Sequence, residues 1–471
     1  MSSFLHRIYS VRAGWLEKKP LIGRLSMPLN ENSRTGTPQN SAGFGQPSLL
    51  GGAAARLTPA FQYDADWLEH GFPIGADLKF DRSIQTPPPG KRLFGFLADR
   101  ALSTRVLSIF VNAEPRDLRL KKDAFPDETA AILCPHPDDA FGGFVFEVER
   151  DNAKSAPSPA LSSREKTALL KSRSPIRRTA ELAETIYAFH AAERGKAGPT
   201  DIEYLRRALI FPGRSPVLSV LRDNEMQTAR LHSVNDPIDR PLWLYIALEM
   251  ARDCGIPVVP TAIEREMGET VFFQKRVDRA PTEPNPDGPR TRRLPVFSAA
   301  TLVNTRRANS PRPLPFSYLA MADILNREGA SPATDLPIMW RRLVYRLMTG
   351  GAAADTPRTW LFVREPLGLR LLPAHTLEWM SPAFMGAVAG TDGVLPVFNR
   401  AGKGLTIDGR QTLVHPDDAL RYAPYFGLTP SDAKMALMEM MRVMSDWENR
   451  AYEWQADPND VALMAPIFDN L

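Results

Sequence analysis

The chain has 471 residues, of which 43% are hydrophobic and 24% are charged. Because a single hydrophobic core rarely serves more than about 250–300 residues, this length predicts two or three domains. The formal charge of +4 is small for such a length, which argues against a dedicated, strongly basic nucleic-acid-binding protein.

The sequence also indicates the compartment. No apolar run reaches the roughly 20 residues that a membrane-spanning helix needs, and residues 1–19 lack the apolar core of a signal peptide. The two cysteines, Cys134 and Cys254, match no metal or redox spacing. Such cysteine usage is typical of a reducing environment. We therefore expect a cytoplasmic protein without a membrane partner.

The first predicted domain, residues 1–150, combines short strands with short helices. Residues 8–28 predict two strands, and a helical turn follows the alternating segment "RLTPAFQYDADWLEHG". Residues 30–55 are rich in Gly, Ser, Asn and Pro, which is typical of a mobile insertion. The domain ends with "HPDDAFGGFVFEVE", which predicts a turn and a strand. We interpret the whole as a small α+β subdomain.

Residues 151–178 are rich in Ser, Pro, Lys and Arg, and we interpret them as a linker because they lack a sustained helical pattern. Their basic end, "KSRSPIRR", allows the alternative interpretation that this segment contacts phosphate groups. Direct DNA binding through Arg177, Arg178 and the basic run at 290–293 is the strongest form of this alternative. Such contacts would make binding depend steeply on salt.

The remaining chain divides into a mixed segment, 179–316, and a helical segment, 317–471. In the first, "DRPLWLYIALEMARDCG" predicts an amphipathic helix closed by Gly255, and "TVFFQKRVDR" alternates like a half-buried strand. In the second, "SDAKMALMEMMRVMSDWENRAYEW" predicts a helix with a stripe of methionines. We interpret the stripe as core packing, with an adaptable partner groove as the alternative.

One segment superficially suits a metal ion. "CPHPDD" places Cys134, His136, Asp138 and Asp139 within six residues. Because it lies in the turn expected before a strand, we interpret it as a structural turn. The sequence contains no G-x-S-x-G elbow and no G-x-x-x-x-G-K-[ST] loop.

The loop after the helix "MWRRLVYRLM" raises a question about chemistry. Loops held between a buried helix and strands are where enzymes usually place catalytic side chains. This loop reads "TGGAAADTPR" and presents three consecutive alanines. The loop therefore occupies a position typical of catalytic loops, whereas its three alanines carry no group that could take part in catalysis.

The order of these elements is that of a protein-kinase-like fold. The segments "RPLWLYIALEMARDCGIPV", "VFFQKRVDR" and "SYLAMADILNREGASPATDLPIMWRRLVYRLM" resemble the HipA-like serine/threonine kinase toxins of bacterial toxin–antitoxin systems. The resemblance covers roughly 17–150 and 178–471. It implies an α+β, bilobal fold with a small β-rich N-terminal lobe, a nucleotide cleft within 179–316 and an α-rich C-terminal lobe.

The resemblance also locates the positions that would carry phosphoryl transfer. The general base of the family falls at Ala353, the metal-binding Asn at Arg358 and a later metal-binding Asp at Thr376. A methyl group cannot accept a proton, and loss of a general base typically costs about 10²–10⁴ in rate. Neither Arg358 nor Thr376 replaces a magnesium ligand, so charge neutralisation on the phosphoryl group is also lost.

Most of the residues with which the family binds the nucleotide phosphates are also absent from this sequence. Only Gly213 and Ser215 remain of the family's Gly-rich loop, and the family's strand lysine corresponds to Arg230. Arginine keeps the charge, but its planar fork does not reproduce an ammonium group.

The strand that would face adenine is the best preserved part of the cleft. It reads "QKRVDR", and the resemblance assigns Lys275, Val277 and Asp278 to a vestigial nucleotide cleft together with Arg230. A simple hinge between the lobes, with a charged exit, is the alternative interpretation. We expect residual ATP binding at most and no bound magnesium.

Two functions remain open. In the first, the chain is a pseudokinase that binds a small helix-turn-helix antitoxin-like protein, contacts DNA only through that partner and forms a homo- or hetero-oligomer. In the second, it is a diverged but active kinase toxin that uses Asp355 and Arg230 in shifted roles, since Asp355 lies two residues after the base position.

Overall fold

The computed structural model divides the chain into two compact units. Unit 1 comprises residues 1–224 and 278–295, and unit 2 comprises residues 225–277 and 296–471. The domain boundaries expected from the sequence stay a prediction. The structure describes residues 6–28, 58–89, 91–101, 140–149, 177–178, 181–198, 200–201, 205, 217–223, 225–281, 291–303, 317–350, 355–379, 405–408, 412–413 and 415–468.

The described strands are mostly short. In chain order they are β1 (His6–Ala13), β2 (Leu21–Pro28), β3 (Ala60–Tyr63), β4 (Phe144–Val148), β5 (Arg177–Arg178), β6 (Val217–Arg222), β7 (Glu225–Arg230), β8 (Thr261–Glu266), β9 (Glu269–Lys275), β10 (Arg279–Pro281), β11 (Thr291–Arg293), β12 (Val296–Ser298), β13 (Leu361–Glu365), β14 (Gly368–Leu371), β15 (Leu405–Thr406) and β16 (Thr412–Leu413).

The longest described helices lie in unit 2. In chain order the α-helices are α1 (Ala65–His70), α2 (Gly95–Ala98), α3 (Leu182–Glu193), α4 (Arg240–Asp253), α5 (Ala299–Leu302), α6 (Tyr318–Glu328), α7 (Pro332–Met348), α8 (Pro430–Met444), α9 (Trp447–Glu453) and α10 (Pro458–Met464). Two 3₁₀ helices are η1 (Pro416–Phe426) and η2 (Ala465–Ile467). Among the described helices, none combines the length and hydropathy needed to cross a bilayer.

Unit 1 is built on a four-stranded antiparallel sheet in the order β3-β2-β1-β4. The strands predicted within residues 8–28 and after "HPDDAFGG" are therefore confirmed as β1, β2 and β4. Aromatic side chains fill the core beside this sheet. The ring centroid of Trp15 lies 5.6 Å from that of Phe144 and 6.1 Å from that of Trp67, both edge to face, which is a preferred geometry for aromatic pairs.

Among the described residues, unit 2 contains antiparallel strands in the orders β7-β9-β8, β12-β13-β14 and β15-β16, and a helical core. Helix α4 is buried along most of its length and begins at Asp239, whose side chain accepts a hydrogen bond from Leu242 N at 3.1 Å. It ends before Gly255, as predicted. Gly255 has a φ of +74°, which glycine adopts without steric cost.

Helix α7 is the central helix of the unit 2 core. The Trp340 indole donates to Ala419 O at 3.1 Å, and the Tyr345 hydroxyl donates to Ala247 O at 2.6 Å. These bonds connect α7 to η1 and to α4. They also orient α7 so that two of its arginines, Arg342 and Arg346, are buried with about 2% of their surface exposed.

The methionine stripe of α8 is divided between two faces. Met440 and Met444 are buried in the unit 2 core, as the core-packing interpretation predicted. Met435 and Met438 lie on the exposed face of the same helix. The core role is therefore confirmed for the inward methionines.

Candidate functional site

Of the loop after α7, the structure describes Thr349, Gly350 and the residues from Asp355 onward. Ala353, which occupies the general-base position implied by the resemblance, lies outside the described residues, as do Gly213 and Ser215. The candidate metal segment Cys134–Asp139 also lies outside them. The site is therefore described from Asp355, β7 and the segment that follows β14.

Asp355 is buried and extensively hydrogen-bonded. The indole of Trp360 donates to both carboxylate oxygens at 3.0 Å, the Thr359 hydroxyl donates to Oδ1 at 2.8 Å, and the Tyr318 hydroxyl donates to Oδ2. Arg346 Nε lies 3.6 Å from Oδ1. Only 1% of the Asp355 side chain is exposed. The carboxyl group is therefore directed into unit 2 and not toward solvent.

The environment of Asp355 changes its protonation. Burial raises the pKa of its carboxyl group from 3.8 to about 7, and the hydrogen bonds from Trp360 and Thr359 oppose that rise. Burial disfavours the charged form of a carboxyl group, whereas hydrogen-bond donors favour it. Asp355 is consequently divided between its neutral and charged forms near neutral pH.

Three arginines, Arg230, Arg342 and Arg346, act electrostatically on the His375 imidazole, and we call them the arginine cluster. Arg342 stacks over the Trp360 ring at 3.9 Å and donates to Leu372 O at 3.3 Å. Arg346 donates to Thr376 O at 3.0 Å and to Glu378 O at 3.1 Å. The segment 372–378 therefore follows α7 closely, held by the two arginines through its backbone carbonyls.

Burial of the arginine cluster has an electrostatic cost. Burial lowers the pKa of Arg342 to about 9, with a further lowering by Arg346, and it lowers the pKa of Arg346 to about 10. The pKa of Arg230 is also lowered by burial, although Glu378 opposes this. Arg342 and Arg346 remain charged at neutral pH, so unit 2 contains buried positive charge.

His375 lies within this positive region. Burial lowers the pKa of its imidazole from 6.5 to about 3, and Arg230, Arg342 and Arg346 lower it further by repelling a second positive charge. His375 is therefore neutral at physiological pH, with one ring nitrogen able to donate a hydrogen bond and the other able to accept one.

Asp355 and His375 predict opposite pH dependences of stability. The pKa of Asp355 is raised from 3.8 to about 7, so the folded state binds more protons and the free energy of unfolding falls as pH rises through this window. The pKa of His375 is lowered from 6.5 to about 3, so the free energy of unfolding rises with pH between those values. Each slope is about 1.4 kcal/mol per pH unit.

We therefore expect the two contributions to cancel where the windows overlap. The free energy of unfolding of Asp355→Asn minus that of the unchanged chain should rise by about 2 kcal/mol as the pH is raised from about 5 to 6.5. The same difference for His375→Asn should fall by a similar amount over that interval. Urea unfolding at several pH values measures both. Parallel pH profiles for the three proteins would contradict the assigned environments.

The residues present do not fit the magnesium ion that the resemblance implies. Magnesium prefers carboxylate and water oxygens in an octahedral arrangement. Thr376 and the exposed Arg358 occupy the places of two family ligands, and Arg346 Nη2 donates to the Thr376 backbone carbonyl at 3.0 Å. Within the described residues, no group of three or more His, Cys, Asp or Glu is placed to hold a metal.

The other predicted cleft residues lie in different surroundings. Lys275 Nζ lies 3.1 Å from Glu225 Oε1 at the surface of unit 2, and Val277 is half-buried. Asp278 is in unit 1, fully buried, where Oδ2 accepts hydrogen bonds from Gly142 N at 2.8 Å and Arg279 Nη1 at 2.5 Å. The assignment of these residues to a nucleotide cleft stays a prediction.

Asp278 belongs to a wider network in unit 1. Arg279 Nη2 donates to Ala140 O at 2.9 Å, and Arg293 Nη1 donates to Gly142 O at 3.0 Å. Strands β10 and β11 pair so that Arg279 and Arg293 are opposite each other. Arg293, part of the basic run weighed for DNA binding, is therefore buried against the turn at residues 140–142.

Sequence reasoning missed several residues of the site. Arg342 and Arg346 are four residues apart in the helical segment "WRRLVYRLM", whose other residues apart from Arg341 are apolar or aromatic, so both lie on one face. That spacing was the available signal. Tyr318 and His375 gave no comparable signal, because they approach Asp355 and the arginines only through the tertiary fold.

The chain is similar to known proteins in sequence over one segment and in fold over nearly its whole length. Residues 243–354 match the family model described as the HipA-like C-terminal domain. The HipA structure of the Shewanella oneidensis MR-1 toxin–antitoxin complex with HipB and operator DNA aligns with a TM-score of 0.50 and 14% identity, over 98% of this chain and 95% of that chain. The Helicobacter pylori proinflammatory kinase CtkA aligns with a TM-score of 0.33 and 11% identity, over 55% and 92%. A search of curated proteins finds no match.

The structural similarity to HipA defines the fold class of the chain. The chain has an α+β, kinase-like fold of the HipA type, as predicted. More particularly, it contains a HipA-like C-terminal domain across α4, β8, β9, α6 and α7, and the predicted resemblance is confirmed.

Proposed function

We propose that this HipA-like chain is a pseudokinase, a protein-binding component of a toxin–antitoxin-type system that lacks efficient phosphoryl transfer. The observation that carries the proposal is the composition of the site. A buried, hydrogen-bonded Asp355 and an arginine cluster lie beside the loop where the resemblance implies a general base and magnesium ligands.

The proposed partner is a small helix-turn-helix antitoxin-like protein, with DNA bound only through it. The similar HipA structure contains HipB and operator DNA, which supports a partner of this kind here. Affinity purification of the tagged chain from its native host, followed by mass spectrometry and DNA-binding assays of the complex, tests this part. If the chain still binds DNA after the small partner has been removed, that result would contradict the proposal that DNA is bound only through the partner.

The second candidate is a diverged, active kinase that uses Asp355 and Arg230. The pKa of Asp355, raised to about 7, favours it, because a general base works best when its pKa is near the operating pH. Its burial opposes it, since a base needs to reach the substrate hydroxyl within hydrogen-bonding distance.

Labelled ATP with magnesium distinguishes the two candidates. We expect no incorporation of phosphate into the chain or its co-purified partner, in either the unchanged chain or Asp355→Asn. The control is the Arg364→Gln variant, which changes a charged residue of β13 away from Asp355 and should behave like the unchanged chain. Incorporation that persists in Arg364→Gln and disappears in Asp355→Asn would establish the active kinase instead.

A further inference from the structure

Unit 1 contains a closed surface loop between α1 and α2, and we call residues 79–85 the basic loop. Its two ends are joined by the Gln85 side chain, whose Oε1 accepts a hydrogen bond from Lys79 N at 2.7 Å and whose Nε2 donates to Lys79 O at 2.8 Å. The Gln85 backbone also exchanges two hydrogen bonds, of 2.8 and 2.9 Å, with Phe61 of β3. The loop is therefore fixed to the sheet at its base.

Hydrogen bonds also hold the tip of the basic loop. Gln62 Nε2, on β3, donates to Arg82 O at 2.8 Å. The Asp81 carboxylate accepts a hydrogen bond from Ser83 N at 2.8 Å and another from the Ser83 hydroxyl. Because the loop already has a defined path, a partner that binds it does not have to order it, which lowers the entropic cost of binding.

Two apolar side chains of the basic loop are exposed to solvent. Phe80 is 36% exposed and Ile84 is 47% exposed. The Phe80 ring packs edge to face against Tyr63, with 5.2 Å between the ring centroids, so one side of it is held while the other remains accessible. Isolated exposed apolar residues are common, but two within one short loop bordered by charged residues are typical of an interaction surface.

The charged side chains around these two residues are mostly positive. Lys79 and Arg82 belong to the loop, and Lys91 and Arg92 follow it closely in the chain; all four are exposed. Asp81 is the one acidic residue between positions 79 and 92. A surface of this kind attracts negatively charged partners and orients them during encounter.

The combination of charge and apolar surface distinguishes among such partners. The phosphate backbone of a nucleic acid would match the positive charges but offers no apolar group to Ile84. A bilayer would require deeper apolar insertion than two side chains that are each more than half covered can provide. An acidic peptide segment that also carries an apolar side chain matches both features of the loop.

We propose that the basic loop binds an acidic peptide segment of a protein partner. Phe80 and Ile84 contact an apolar side chain of that segment, and Lys79 and Arg82 pair with its carboxylates. The surface goes beyond the proposed function, because an active kinase could carry it equally well and the segment need not belong to an antitoxin-like protein.

Selection from a phage-displayed library of random dodecapeptides on the immobilised full chain tests the proposal. We expect the enriched peptides to combine several Asp or Glu residues with a Leu, Ile or Phe. The affinity of synthetic copies, measured by fluorescence anisotropy, should fall as sodium chloride is raised, because salt screens exposed charges. Enrichment of peptides without an acidic excess, or no enrichment, would overturn the proposal.

Variants assign the binding to the loop. We expect Phe80→Ser to weaken peptide binding by about tenfold, as for a central apolar contact, and Arg82→Ser by about threefold, as for an exposed charge pair. The matched controls are Val148→Ser and Lys434→Ser, which should bind like the unchanged chain. Val148 is 52% exposed on β4, at the other end of the same sheet from β3, and Lys434 is exposed on α8 in unit 2.

If Phe80→Ser fails to fold, Ile84→Ser carries the same test, because about half of the Ile84 side chain already faces solvent. Equal peptide affinity in the loop variants and the controls would overturn the assignment. Vesicles of phosphatidylcholine with phosphatidylserine, and a DNA duplex, serve as competing probes; binding to either that depends on the loop, while peptide binding does not, would also overturn it.

The outcome is separable from that of the labelled-ATP experiment. Incorporation of labelled phosphate would contradict the proposed function alone. Peptides whose affinity ignores the loop variants would contradict this proposal alone.

Discussion

Replacing Asp278 with alanine is expected to lower the free energy of unfolding by about 3–5 kcal/mol, the typical cost of breaking a buried ion pair. Its carboxylate is fully buried and bonded to Arg279 and to Gly142 N. Without it, Arg279 loses its carboxylate partner, and Gly142 N loses its acceptor. Urea unfolding together with hydrogen exchange measures the change and assigns it to unit 1.

The control for Asp278 is Glu147→Ala, also in unit 1. Glu147 pairs with Arg12 at 2.7 Å, but both side chains are substantially exposed. Exposed pairs contribute about 0–1 kcal/mol, so little change is expected. A loss below about 1 kcal/mol in Asp278→Ala would show that the buried pair contributes no more than an exposed one. The residue would then be better explained by a ligand that it binds.

Replacing Asp355 with alanine is expected to cost about 2–4 kcal/mol of unfolding free energy, whether or not nucleotide is present. The change removes the acceptor of the Trp360 indole and of the Thr359 and Tyr318 hydroxyls. It also removes the carboxylate nearest to Arg346 Nε. Because Asp355 is partly neutral near pH 7, the loss should be smaller than for a fully charged pair.

The control for Asp355 is Asp323→Ala on α6. Asp323 pairs with Arg327 at 3.2 Å, and 63% of each side chain is exposed. Such helical pairs contribute about 0.3–0.5 kcal/mol. Urea unfolding followed by tryptophan fluorescence compares the two variants. If Asp355→Ala were as stable as Asp323→Ala, the hydrogen bonds around Asp355 would not stabilise unit 2, and a catalytic role would become the better explanation.

The fold could be predicted where local patterns decide it. Helix α4 and its end at Gly255 follow from an apolar period, a capping Asp and a glycine at positive φ. Strand β9 was predicted correctly as a strand, but the half-buried alternation expected for it is wrong, because residues 270–274 are all buried and the strand is covered on both faces. Each of these signals lies within a few neighbouring residues, so it can be recognised in the sequence without knowledge of the tertiary fold.

The site could be predicted only in part. The alanines and the missing acidic residues are visible in the sequence, but the burial of Asp355 is not. Its partners Tyr318 and Arg346 come from α6 and α7, and only tertiary packing brings them to the loop. Asp278 shows the same difficulty, because the preserved "QKRVDR" motif does not reveal that its carboxylate binds Gly142 N.

The way in which α7 holds the segment 372–378 has an evolutionary consequence. Arg342 and Arg346 recognise the carbonyl oxygens of Leu372, Thr376 and Glu378. Every amino acid offers the same carbonyl, so the contact is indifferent to the side chain at these positions. A chain built in this way can exchange an acidic residue for threonine at position 376 while the segment keeps its path. The backbone path of this segment therefore does not depend on whether position 376 carries a group that can bind a metal ion.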